Sequence, residues 1–214
     1  MKVIIFDFDG TIADTFDAVL RITNELAVEL GYKPTTPEDV QRLRNLDSRE
    51  IIKQSGIPLF RLPFLMKRLK ADLRREIPYL TPIEGMINAL NYLKARGNSL
   101  GIVTSNSWDN VSAFLKIHGL ERHFSFVYSG TTLFGKGRVI NRILKQHNLD
   151  FQRVVYVGDE TRDIEAAKKI QIKVVAVSWG FNAEEALLRQ NPDFLIHHPD
   201  ELIDVIQTLE GYSN

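Results

Sequence analysis

Short, nearly unbroken apolar runs alternate along this chain with stretches in which apolar residues recur every three or four positions. The runs fall at residues 3–6, 100–103, 124–128, 154–157 and 174–177. They are brief and β-branched, as strands covered on both faces of a parallel sheet are. Between them, Met86, Leu90 and Leu93 share one helical face, which Gly97 can end. Val111, Phe114, Leu115 and His118 share a second, closed by Gly119, with Ser107 placed to cap its start. Val139, Ile140, Ile143 and Leu144 form a third. One segment breaks the alternation. From residue 14 to 81 no strand-like run occurs, and the periodicity predicts helices over 16–30, 37–46, 48–54 and 59–76. Gly31 and Gly56 are stops there, Thr36 is an N-cap ahead of Pro37, and Pro63 interrupts the last helix.

The pattern predicts an α/β fold, a Rossmann-like parallel sheet core with an inserted α-helical cap. The core takes residues 1–13 and 82–214, and the cap takes residues 14–81. Composition is ordinary for a globular chain, 44% hydrophobic and 25% charged over 214 residues, which excludes disordered and collagen-like classes. Lys plus Arg is 27 and Asp plus Glu is 27, so no global charge points to nucleic acid or an anionic membrane. The absence of Cys removes disulfides, thiolate metal sites and cysteine nucleophiles. The apolar start at residues 3–6 turns acidic at Asp7, too short for a secretory leader, and no run reaches membrane-spanning length. The expectation is a cytoplasmic protein without nucleic-acid or membrane partners, its last residues, 212–214, frayed. The five His show no paired spacing; His197 and His198 beside Pro199 read as a surface turn, and Trp108 and Trp179 as packing or rim residues.

Candidate chemistry collects where α/β proteins place ligands, at the carboxyl ends of strands. The first run ends in Asp7-Phe8-Asp9-Gly10-Thr11 and the second in Thr104-Ser105-Asn106-Ser107. Gly135-Lys136-Gly137 follows the third, and the fourth ends in Gly158-Asp159-Glu160-Thr161-Arg162-Asp163. Asp7, Asp9, Asp159 and Asp163 would converge on one rim, where they stay ionised together only around a cation. Oxygen ligands without Cys or neighbouring His suit Mg²⁺ over Zn²⁺, and Mg²⁺ held by few carboxylates expects a phosphate as well.

These motifs, in this order, resemble the haloacid dehalogenase-like superfamily of phosphohydrolases over essentially the whole chain. Asp7-x-Asp9-Gly10-Thr11 matches its first motif, Thr104 its second, Lys136 its third and Gly158-Asp159-x-x-x-Asp163 its fourth. The resemblance implies a Mg²⁺-dependent phosphatase that hydrolyses a small phosphorylated metabolite through an aspartyl-phosphate. Asp7 would be the nucleophile and Asp9 the acid and base. Lys136 would offset charge, and Gly10, Thr104, Ser105 and Asn106, with Lys136, would serve the substrate phosphate. Asp7, the Asp9 carbonyl and Asp159 would hold Mg²⁺, with Asp163 behind them on its water shell or on Lys136. Asp163 also reads as a helix N-cap, and Glu160 as its replacement or supplement. The third motif departs from the family pattern Lys-Pro-x-Pro, because Gly137 and Arg138 follow Lys136.

The phosphoglycolate phosphatase branch is the nearest in appearance. Sugar-phosphate mutases share the motifs. A phosphonate hydrolase would need a Schiff-base lysine on the cap, for which Lys53 is the candidate. A non-enzymatic phospho-accepting or binding module is the alternative of a different class, although receiver-type modules lack an inserted cap. Residues 40–75 hold ten cations against three anions, a net +7. Most would form a solvated face, with Arg44 or Arg49 placed near a helix junction to meet a second anionic group on the substrate. The oligomeric state is not legible.

Overall fold

The computed structural model describes residues 1–132 and 135–211; the expected frayed end at 212–214 lies outside them. Six strands form one parallel sheet: β1 (Val3–Phe6), β2 (Ser99–Val103), β3 (Phe124–Tyr128), β4 (Val154–Gly158), β5 (Lys173–Val177) and β6 (Phe194–Ile196). Their order is β3-β2-β1-β4-β5-β6, so β1 is central and the chain reverses direction across it. Ile4 sits beside Leu100 on one side and Val155 on the other. β6 has no counterpart among the five expected runs. It is three residues long and only Ile196 is buried, too little to print a periodic signal.

Strand alternation distributes side chains to two apolar layers. Ile4, Phe6, Ile102, Val155 and Val175 face helices α5 (Met86–Ala95), α6 (Trp108–Ile117) and α10 (Glu201–Gly211). Ile5, Tyr156, Val174 and Ala176 face α7 (Lys136–Gln146), α8 (Thr161–Lys169) and α9 (Glu184–Arg189). Both faces are therefore covered, which explains the unbroken apolar runs.

The segment between β1 and β2 is helical, as its periodicity implies: α1 (Phe16–Glu29), α2 (Pro37–Leu43), α3 (Ser48–Gln54) and α4 (Leu62–Glu76). The helix expected over 59–76 is divided into a 3₁₀ turn at Leu59–Arg61 and α4. Pro63 falls in the first turn of α4, where a missing N–H breaks no helical bond. Thr36 and Asp47 start α2 and α3 with reciprocal capping boxes to Asp39 and Glu50. The insert has its own small core of Ala18, Ile22, Leu26 and Leu73. Its two crossings to the sheet domain lie side by side, with Asp14 N donating to Thr81 O at 2.9 Å and Ile83 N to Ile12 O at 2.9 Å. Among the described residues no helix is long and apolar enough to cross a membrane.

Candidate active site

The end of β1 builds the centre of the site. Asp7 N still pairs with Val157 O at 2.9 Å, which anchors the nucleophile candidate to the sheet. Its carboxylate is buried; Oδ1 accepts from Phe8 N at 2.7 Å and Oδ2 accepts from Lys136 Nζ. Gly10 then takes φ +72°. A Cβ there would stand 2.5 Å from Asp159 Oδ2 and 2.6 Å from the Phe181 ring, so the turn and the close approach both require glycine.

Lys136 is the first residue of α7 and is 2% exposed. Its ammonium lies between Asp7 and Asp163, 2.6 Å from Asp163 Oδ1. Gly137, the departure from the family's third motif, sits in the same turn. A Cβ on it would stand 3.3 Å from Ala166 O of α8, so the small residue lets the two helices that carry Lys136 and Asp163 approach. Asp163 also closes a capping box with Glu160 at the start of α8, so its N-terminal role and its contact with Lys136 coexist.

Thr104 is fully buried, and Thr104 Oγ1 accepts from Asn106 N at 3.0 Å. Ser105 is buried at the same turn. The Asn106 side chain is directed to Asp9, with Nδ2 2.9 Å from Asp9 Oδ1. Asp159, fully buried, accepts from Thr11 Oγ1 at 2.7 Å and from Phe181 N at 2.8 Å. Trp179 supports the same loop, its Nε1 donating to Thr11 O at 3.2 Å, whereas Trp108 is exposed.

Electrostatics mark this cluster. Burial pushes Asp7 up to about 7 against the pull of Lys136. Burial also pushes Asp9 up to about 6, opposed by the Asn106 hydrogen bond. Asp159 is raised well above the carboxylate range by burial and then by Glu160 and Asp7. Burial disfavours the Lys136 ammonium, yet Asp163 and Asp7 together hold its pKa above the ordinary lysine value. One group of three acidic side chains, Asp7, Glu160 and Asp163, brings its oxygens within 4.8 Å of one another. Crowded, buried, all-oxygen donors that resist ionising together are what a hard divalent cation relieves, so the residues fit such an ion.

Two charged residues escaped the sequence reading. Arg162 is 11% exposed, and its Nε lies 2.7 Å from Glu160 Oε2. Burial works against its charge, but Glu160, Asp163 and Asp7 keep its pKa raised. A spacing of two residues does not bring side chains together on a helix. It does here because Glu160 is an extended N-cap, with φ −118° and ψ 150°. Lys70 of α4 is half-buried; burial lowers its pKa, opposed by the charge of Asp9. Within the sequence it was one cation among ten, with nothing to orient it.

Arg44 belongs to the junction between insert and core. It donates to Gly180 O at 2.8 Å and Phe181 O at 3.2 Å, and its guanidinium lies 5.1 Å from the Phe16 ring centre. Asn182 returns the contact, its Nδ2 2.9 Å from both Arg44 O and Leu46 O. Arg49 pairs with Glu165 at 3.0 Å on the surface, and Lys53 is exposed.

A family model described as haloacid dehalogenase-like hydrolase matches residues 4–177. A phosphoglycolate phosphatase of Synechococcus elongatus is 37% identical over 209 residues, 98% of this chain and 99% of that protein. A phosphoglycolate phosphatase of Aquifex aeolicus is 26% identical, covering 96% and 97% of the two chains. A solved haloacid dehalogenase-like hydrolase from Streptococcus pneumoniae shares the fold, with a TM-score of 0.73 at 22% identity over 96% of this chain and 98% of that one.

Proposed function

This chain belongs to the haloacid dehalogenase-like hydrolases and is a phosphatase of that family, and we propose that it hydrolyses a small phosphomonoester carrying a second anionic group, of the phosphoglycolate type. The observation that carries the reading is the buried carboxylate of Asp7, paired with Lys136 at the end of the central strand, with a second carboxylate two residues on.

In the first step an Asp7 oxygen attacks phosphorus. An O–P bond forms to Asp7, the ester P–O bond breaks, and Asp9 gives its proton to the leaving alkoxide. A carboxyl pushed up to about 6 retains a protonated fraction near neutral pH, as a general acid needs. In the second step Asp9 takes a proton from water as the water attacks phosphorus, and the bond to Asp7 breaks. Lys136 offsets the charge on Asp7 throughout. Gly10, Thr104 and the Ser105 amide hold phosphoryl oxygens, while Asn106 acts on Asp9. Asp7, the Asp9 carbonyl and Asp159, with Glu160 and Asp163 adjacent, would hold Mg²⁺, which when bound supplies positive charge to the phosphoryl oxygens.

Residues 14–81 act as a cap over a core of residues 1–13 and 82–214. Lys70, half-buried on α4 and under the influence of the charge of Asp9, is the cap cation offered to the second anion. The test is kcat/KM over a panel of phosphomonoesters with and without a second anionic group, in Mg²⁺, with acid-quenched phosphoenzyme counted. Preference for the charged small esters and an acid-stable, hydroxylamine-labile phosphoenzyme are expected. Preference for uncharged esters would overturn the substrate class, and transfer to an added sugar in place of water would make the protein a mutase.

A further inference from the structure

We propose that Asn110 is a positioning residue for leaving-group protonation, forming with Asn106 a relay that ties the orientation of Asp9 to the seating of helix α4. The inference rests on the reading of Asp9 as the acid. The relay is continuous. Asn106 Nδ2 donates to Asp9 Oδ1 at 2.9 Å, Asn110 Nδ2 donates to Asn106 Oδ1 at 2.9 Å, and Asn110 Nδ2 also donates to Lys70 O at 2.9 Å. Asn106 is 2% exposed and Asn110 is 1% exposed, so both amides are buried, and the bond between them is closed to water while the bonds to Asp9 and Lys70 are half-buried.

Backbone groups dictate which way both amides face. Ser107 N donates to Asn106 Oδ1 at 2.7 Å, so that atom is the oxygen and the opposite end, facing Asp9, is the NH₂. Asn110 meets two acceptors, Asn106 Oδ1 and the Lys70 carbonyl, so it too must present its NH₂. The orientation is therefore read from main-chain partners and not from the amide itself. With Oδ1 occupied by Asn106, Asp9 is turned so that its other oxygen is the one to meet the leaving group.

The Lys70 carbonyl is the point where the insert enters the relay. It lies within α4, and a carbonyl has a lone pair to spare beyond its helical bond. Nearby, Arg74 of α4 pairs with Asp109 of α6 at 3.1 Å, but this pair is exposed and weakly holding. The Asn110 bond to Lys70 O is thus the contact through which the position of α4 reaches the acid. Asn110 sits behind Asn106 and does not touch substrate.

The experiment compares Asn110→Ala with wild type on two substrates, phosphoglycolate with its alkoxide leaving group and para-nitrophenyl phosphate, whose leaving group needs no proton. kcat/KM for phosphoglycolate should fall about tenfold or more, within the span that general acid catalysis covers. kcat/KM for para-nitrophenyl phosphate and the inhibition constant for inorganic phosphate should stay within about twofold. A merely structural role would depress both substrates alike, and equal losses would overturn the proposal. Asn110→Ser keeps one donor and should recover part of the lost selectivity; if Asn110→Ala fails to fold, the serine variant must still show the selective loss. Asp9→Asn separates this proposal from the reading beneath it. If Asp9→Asn shows the leaving-group selectivity and the Asn110 variants do not, the relay alone fails. If Asp9→Asn lacks the selectivity, the role of Asp9 fails.

Discussion

Lys136 Nζ stands 2.6 Å from Asp163 Oδ1 and donates on its other side to Asp7 Oδ2, with all three side chains at most 3% exposed. One buried cation thus serves two buried anions. Such a group is hard to remove, because truncating it leaves charges without partners in a medium that solvates them poorly.

Lys136→Met should accordingly abolish turnover and lower unfolding stability by about 3–5 kcal/mol at neutral pH. Urea denaturation checks this. The loss should shrink at mildly acid pH, where Asp7 can protonate. A variant as stable as wild type at every pH would contradict the arrangement.

The two carboxylates after β1 should respond differently to amidation. Asp7→Asn should form no phosphoenzyme, because an amide oxygen is a poor nucleophile. Asp9→Asn should still be phosphorylated by an activated aryl ester but release phosphate slowly, by about 10²–10⁴-fold. Rapid-quench turnover with trapped aspartyl-phosphate distinguishes them, and accumulation in the Asp7 variant would reverse the assigned roles.

Metal-free protein should be most stable under mildly acid conditions. Asp7 is raised from 3.8 to about 7 and Asp9 to about 6. Between pH 4 and 7 the native state therefore binds more protons than the unfolded state, and stability falls as pH rises through that window. Mg²⁺ should oppose the fall, so its stabilising shift in Tm should be larger at pH 8 than at pH 5.5. Equal shifts at both pH values, or full activity in excess chelator, would argue against a metal held by these carboxylates.

The cap cations should separate by position. Lys70→Ala should raise KM for phosphoglycolate about tenfold, the scale of a lost charged hydrogen bond, with a much smaller change for para-nitrophenyl phosphate. Arg49→Ala should leave both nearly unchanged, because Arg49 meets Glu165 on the surface. Steady-state kinetics on the two substrates decides, and a larger effect from Arg49 than from Lys70 would reverse the assignment.

Asp7, Asp9, Thr104 and Asp159 were legible before the fold because each stands at or just after a strong apolar run, whereas Lys136 and Asp163, in the first turns of α7 and α8, were named by their place in the motif order. β6 was not, because three residues at a sheet edge carry too little burial to mark a period. Asn106 was read as a phosphate ligand from its place in the second motif. Its side-chain amide reaches Asp9, a contact across 97 positions that no local pattern encodes.

By itself, then, the sequence determined the layered α/β architecture, the helical insert and the main carboxylates, because burial periodicity and strand-end motifs are local properties of the chain. Only the tertiary structure decided that Lys70 of the cap falls under the charge of Asp9, that Glu160 turns back onto Arg162, and that Asn110 joins Lys70 O to Asn106. Those outcomes depend on helices packed from distant segments and on the backbone angle of a single N-cap. Charge type and spacing are blind to both, since many packings satisfy the same pattern and only one of them places the donors and acceptors within reach.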